Sequence, residues 1–232
     1  MHFSKTVIIN CAGTGSRLGL GVTKALVKIK GRTLIDWQLD LLEDVPDVRI
    51  VVGFNADQLI VHVRKRRPDV LFIFNHRYMD TGTGYSLWLA ARHCTGGIIS
   101  LDGDLLVDPA DFRLFFALQE PCIGISSASS EEPLYAKMNG DHVTAFSFKE
   151  KSNFEWNGIV KTHASSVHEE RGFLYPIIEK QLPLRAVNMN TCEIDTPKDF
   201  NRAVDWIGEY MDKRAHSRLG AQMKHPSPVN HG

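Results

Sequence analysis

Residues whose types and spacing could do chemistry fall in three stretches of this chain. The first is Asn10-Cys11-Ala12-Gly13-Thr14-Gly15-Ser16-Arg17-Leu18-Gly19, continued to Lys24. Its glycines allow a tight turn and close approach of the backbone to a ligand, and successive N–H groups in such a turn form an anion-binding concavity. Arg17 and Lys24 add the positive charge that a polyphosphate needs. A nucleotide is the natural occupant. The second stretch is Asp102-Gly103-Asp104, at the end of the apolar run Gly97-Ile-Ile-Ser-Leu. On an extended chain two carboxylates at this spacing point to the same side, and a hard cation such as Mg2+ takes one or two carboxylates together with phosphate oxygens and water. The third is Asp195, after Cys192-Glu-Ile and before Thr196-Pro197. Taken alone, this aspartate reads as a helix cap.

Two familiar glycine loops are excluded. A P-loop ends in Gly-Lys-Ser/Thr, and here Gly19 is followed by Leu20. The dinucleotide fingerprint places its third glycine one residue earlier than Gly19 and wants an acid closing a second strand, whereas Asp36 falls in a helical pattern.

The elements that must position these residues follow from periodicity. Thr6-Val-Ile-Ile is a buried strand leading into the loop, and Leu34 to Leu42 has helical spacing. Val48 to Gly53 is a second strand, Ala56 to Arg67 a surface helix, and Val70 to Phe74 a third strand. The basic run Arg64-Lys-Arg-Arg sits at a helix C-terminus, where the dipole favours cations. A helix from Ser86 to His93, the strand into Asp102, a helix over Pro109 to Leu118 and a strand at Cys122 follow. This alternation predicts an α/β fold: a mainly parallel, Rossmann-like sheet with helices on both faces, whose ligands bind at the carboxyl ends of the strands. Asn139-Gly140 signals a hairpin between Leu134 and Phe148, a small inserted β layer beside that sheet. His163 to Lys180 is expected to be mostly helical, and Leu184 to Met189 extended. A final helix spans Asn201 to Lys213, so one folded domain is expected over 1–213 and the unpatterned 214–232 is expected to be a disordered tail.

Composition narrows the partners. The chain has 232 residues, 43% of them hydrophobic, enough for one sizeable core. Its 27 basic and 27 acidic residues balance, so nothing marks a nucleic-acid or membrane surface. No apolar run is long enough to span a bilayer, and Thr6 to Ile9 is too short for a signal peptide. Cysteines 11, 94, 122 and 192 are widely spaced and suit small buried residues of a cytoplasmic protein rather than a disulfide or zinc framework.

With these residues in view, the chain resembles the nucleotidyltransferase superfamily of GT-A-like fold. The family signature, Gly-x-Gly-(Ser/Thr)-Arg-Leu followed by Pro-Lys and an apolar stretch, is matched by Gly13 to Leu18 and then Thr23-Lys24-Ala-Leu-Val. Thr23 stands where the family usually has proline. The run Asn75 to Ala91, with Tyr85-Ser86-Leu87, is similar to that of small cytidylyltransferases for phosphocholine and aminoethylphosphonate. So is the closing Glu193-Ile-Asp-Thr. The resemblance implies that Ala12, Gly13, Thr14, Gly15 and Ser16 bind nucleotide with Gly82, Thr83 and Ser86. Arg17 and Lys24 become catalytic, and Asp104 and Asp195 become the ligands of Mg2+. Glu155, Trp156 and Gly158 become acceptor contacts, and Tyr175 is a further aromatic candidate if the acceptor carries an amine. The implied reaction joins CMP from CTP to a small phosphorylated or phosphonate acceptor with release of pyrophosphate. The partners are a nucleoside triphosphate and that acceptor, with no nucleic acid and no membrane insertion, and a homodimer is left open. The Thr81-Gly-Thr-Gly turn instead favours a sugar-1-phosphate nucleotidyltransferase, and a nucleotide-binding regulator without activity is the remaining alternative.

Overall fold

The computed structural model describes residues 5–15 and 21–208. Ser16, Arg17 and the tail from 214 on lie outside the described residues. In chain order the elements begin with β1 (Lys5–Cys11), a 3-10 turn (Lys24–Leu26), β2 (Lys28–Ile29), β3 (Arg32–Thr33) and α1 (Leu34–Leu41). Next come β4 (Asp47–Val52), α2 (Ala56–Arg64), β5 (Leu71–Phe74), α3 (Thr83–Ala91), β6 (Gly97–Asp102) and β7 (Leu105–Val107). Then follow α4 (Pro109–Ala117), β8 (Cys122–Ser127), β9 (Tyr135–Asn139), β10 (His142–Ser147) and β11 (Phe154–His163). The chain continues through α5 (Tyr175–Glu179), β12 (Leu184–Asn188) and β13 (Thr191–Glu193) to a helix over 197–208.

Nine strands form one sheet in the order β5-β4-β1-β6-β11-β8-β12-β10-β9. Strands β5, β4, β1 and β6 run parallel, as the alternating strands and helices predict. Alternation along β1 divides the core: Val7, Ile9 and Cys11 face α1, α2 and α4, while Ile8 and Ala12 face α3 and α5. Helices thus cover both faces. A third cluster seats the 197–208 helix, through Ala203 and Ile207, on Ile29, Leu34, Leu106, Cys192 and Ile194. All four cysteines are free thiols, three of them buried, and no helix among the described residues is long and apolar enough to cross a membrane.

The second half of the sheet departs from the parallel order. Strand β11 inserts antiparallel between β6 and β8, and the predicted β9–β10 hairpin follows, with β9 also pairing with β11 through Glu155 and Tyr135, so that β11, β8, β12, β10 and β9 close into a small barrel beside the parallel strands. The expected helix over His163 to Lys180 is corrected. His163 ends β11, paired to Gly97, and only a 3-10 turn (Ala164–Ser166) and the five-residue α5 are helical. Tertiary pairing wins here: the Arg171 and Gly172 carbonyls accept from the Gly82 and Gly84 amides instead of closing helical turns.

Candidate active site

The parallel strands end along one edge, and their loops are knitted there. Phe54 donates its N–H to the Ala12 carbonyl at 3.0 Å, Asn75 to the Val52 carbonyl at 2.8 Å, and Gly103 to the Asn10 carbonyl at 2.9 Å. Asn55 Nδ2 donates to the Gly21 carbonyl at 3.0 Å, tethering the far end of the glycine loop. Ala12 is buried, Gly13 is exposed, and Thr14 and Gly15 are partly exposed, so the loop backbone rises from the sheet toward solvent. Gly15 has φ +61°, and a Cβ on it would lie 2.7 Å from Lys24 Cγ. The glycine therefore leaves the channel along which the Lys24 stem runs.

Lys24 opens the 3-10 turn behind Thr23. Thr23 is buried with φ −60°, the value that a proline ring fixes, so threonine reproduces the backbone of the family's usual proline. The Lys24 ammonium meets Asp104 Oδ2 at 2.7 Å and also contacts Asp195 Oδ1. Burial alone would lower its pKa, but Asp104 and Asp195 outweigh burial and hold it above the ordinary lysine value.

Asp104 and Asp195 come together through pairing of their neighbours. Strand β13 pairs antiparallel with β7, setting Glu193 opposite Leu105, and Ile194 donates its N–H to the Asp104 carbonyl at 3.1 Å. Beyond Asp195, Asp199 accepts from the Thr196 amide at 2.9 Å and from the Thr196 hydroxyl at 2.8 Å, an N-terminal box that starts the 197–208 helix. Asp104, Glu193 and Asp195 each offer a carboxylate oxygen within 4.8 Å of the others. Desolvation, then the charges of Asp104, Asp195 and Asp102, raise the Glu193 carboxyl, although that side chain keeps solvent contact. An all-oxygen set of clustered carboxylates around a bound ammonium suits a hard divalent cation.

The backbone is not extended from Asp102 to Asp104 but turns at Gly103 and Asp104; Asp102 is not one of the three clustered acids, and Asn10 Nδ2 lies 3.5 Å from its Oδ1. Burial, then Asp104, push its carboxyl up to about 7. Above it lies Gly158, with φ +84°, where a Cβ would come within 2.8 Å of Asp102 Oδ2. That glycine occupies a bulge in β11 between Trp156 and Val160, a device that re-aims a strand beside functional sites.

The other residues predicted from sequence have these positions. Glu155 is buried and accepts from the amides of Ser129 and Ser130 and from the Ser130 hydroxyl, so its carboxylate holds the 129–130 turn. Trp156 stacks on Phe146 at 5.6 Å and donates Nε1–H to the Ile159 carbonyl. Tyr175 opens α5 in edge contact with Phe148. The Gly82 amide donates to the Arg171 carbonyl, Thr83 Oγ1 accepts from the Leu174 amide, and Ser86 Oγ accepts from the buried Asn75. Sequence reasoning missed Glu193. Its signal is the two-residue spacing to Asp195, which puts both acids on one side of an extended segment.

A glycine loop, a lysine and an acidic cluster thus meet at the carboxyl edge of an α/β sheet. A MobA-like NTP transferase domain matches residues 7–146, and the chain belongs to that nucleotidyltransferase family. It is 30% identical over 143 residues to the bifunctional protein GlmU of Hyphomonas neptunium, covering 58% of this chain and 31% of that protein. It is 31% identical over 102 residues to the choline-phosphate cytidylyltransferase of Streptococcus pneumoniae, covering 42% and 43%. The chain thus spans less than half the length of these curated relatives. The inositol-1-phosphate CTP transferase of T. maritima shares the fold, with a TM-score of 0.77, 19% identity, and coverage of 92% of this chain and 96% of that one.

Proposed function

We propose that this protein transfers a cytidylyl group from CTP to a small phosphorylated or phosphonate acceptor, releasing pyrophosphate. The observation that carries the reading is the meeting of Lys24 with Asp104 and Asp195 beside the Gly13–Gly15 loop. The choice of CTP draws on the likeness to the choline-phosphate cytidylyltransferase and to the inositol-1-phosphate CTP transferase.

In this reading the loop backbone from Ala12 to Gly15, with Ser16 and Arg17, holds the β- and γ-phosphates. Lys24 turns from its carboxylates to the charge that develops at the α-phosphate. An acceptor phosphate oxygen, already ionised, attacks the α-phosphorus. A new P–O bond forms, the bond to the bridging oxygen breaks, and its electron pair leaves with pyrophosphate. No general base is required, so catalysis consists of positioning and charge neutralisation. Mg2+, held by Asp104 and Asp195 with Glu193 beside them, supplies Lewis-acid neutralisation of phosphate charge when bound. Gly82, Thr83 and Ser86 form the base side of the pocket, as wall more than as donors, since the Gly82 amide is already engaged. Trp156, Gly158 and Tyr175 lie on the acceptor side, where Glu155 acts by holding its turn.

Thermal unfolding with CTP, UTP, GTP and ATP, each with Mg2+, tests the nucleotide. A ligand at 100 times its dissociation constant stabilises by about 2.7 kcal/mol. CTP should give the largest shift, and a larger shift with another nucleotide would overturn the choice.

A further inference from the structure

Inside the sheet-facing side of α1, Gln38 is 1% exposed. Its Nε2 lies 2.6 Å from the Asp102 carbonyl and 2.8 Å from the Leu105 carbonyl. The two acceptors bracket the Gly103-Asp104 turn, so a single amide spans the segment that presents Asp104. The orientation of the amide follows from these contacts, because a flipped side chain would face two carbonyls with its own oxygen. Gln38 Oε1 is buried with no hydrogen-bond partner among the described residues. Its acceptor is left unused while both N–H groups are committed to the turn.

The hold extends to the other acids. Leu105 pairs with Glu193 across β7 and β13, and the Asp104 carbonyl accepts from the Ile194 amide. Fixing the backbone at 102 and 105 therefore also sets where Glu193 and Asp195 stand relative to Asp104. The helix that supplies Gln38 is itself anchored. Thr33 and Asp36 form a capping box at its start, and Leu34, Ile35 and Leu39 are buried.

We infer that Gln38 is a positioning residue: it holds the Asp102–Leu105 turn so that Asp104, Glu193 and Asp195 converge on one divalent cation. This inference rests on the cation-binding reading of those acids. Gln38 touches none of the reacting groups and acts through backbone carbonyls.

The test is a titration with Mn2+ alone, following the free-ion signal by electron paramagnetic resonance, on wild type, Gln38→Met, Leu39→Ala and Asp104→Asn. Gln38→Met keeps the length and removes both donors, and its dissociation constant should rise tenfold or more. Leu39→Ala damages the same helix through packing alone; it should lower the melting temperature and leave Mn2+ affinity within about twofold of wild type. Wild-type affinity in Gln38→Met, with Asp104→Asn impaired, would overturn the role of Gln38. So would equal weakening in Leu39→Ala, which would make the effect one of general stability. Binding by Asp104→Asn as tight as wild type would instead sink the cation-binding reading itself. Should Gln38→Met fail to fold, Gln38→Asn retracts the amide by one methylene and decides the matter: weakened binding supports the inference, and wild-type binding ends it.

Discussion

Lys24 Nζ lies 2.7 Å from Asp104 Oδ2 and also contacts Asp195, so an ammonium already engages two of the three clustered carboxylates. A divalent cation using the same oxygens must share or replace that contact. Lys24→Met should therefore tighten Mn2+ binding in the absence of nucleotide, because a competing cation is gone. The same substitution should lower kcat by about a hundredfold, the scale for losing one transition-state charge partner. Steady-state kinetics separates the roles: a rise confined to KM, with kcat unchanged, would mean that Lys24 contributes uniform binding instead.

Asp36 sets an acid-side contribution to stability. Burial alone would raise its carboxyl, but the Thr33 hydroxyl and His62 outweigh burial and hold it below the ordinary aspartate value. A folded-state value below the unfolded one gives stability that is present above the unfolded value and is lost as pH falls through the folded one. Asp36→Asn also weakens the capping box of α1, so it should cost about 1 kcal/mol near neutral pH. The gap to wild type should close as the pH is lowered below the usual aspartate range. Urea unfolding at a series of pH values measures it, and a gap that widens in acid would contradict the assignment.

Lys161 is a buried cation with a structural task. Its ammonium donates to the carbonyls of Phe115, Phe116 and Leu118 at 2.6, 3.2 and 2.8 Å, closing the C-terminal end of α4. Lys161→Met would leave those carbonyls without this donor, at a cost of roughly 2–4 kcal/mol. Denaturant unfolding should register the loss, while turnover per folded molecule stays within about twofold. A stable variant with impaired turnover would point instead to a role in the reaction.

The parallel half of the fold was legible because its signals are local. The apolar run Thr6 to Ile9 leads into the glycine loop, the run from Gly97 to Leu101 ends in Asp102, and Asn139-Gly140 marks its hairpin without outside help. Strand β11 was harder to read, since its ten residues are interrupted by the bulge at Gly158 and its place between β6 and β8 depends on distant pairing. The 163–180 segment failed for the same reason: its backbone groups answer to Gly82 and Gly84, far away in sequence. Within the site, charged residues announce themselves, and Lys24, Asp104 and Asp195 do meet. Gln38 gives no such sign, because an amide bonded to backbone carbonyls looks in sequence like any polar helix position. Glu155 shows a bond that sequence does not announce, a carboxylate that accepts from the amides of the 129–130 turn.

The most direct test of the central claim is pyrophosphate release from CTP, with and without Mg2+, across a panel of phosphocholine, 2-aminoethylphosphonate, inositol 1-phosphate and sugar 1-phosphates. Wild type should release pyrophosphate from CTP only when Mg2+ and a small non-sugar acceptor are both present. Asp104→Asn and Asp195→Asn should each lose most of that turnover while remaining folded, since a cation held by two carboxylates loses a fixed ligand in either variant. Near-normal release by either variant, or turnover confined to sugar 1-phosphates, would contradict the account.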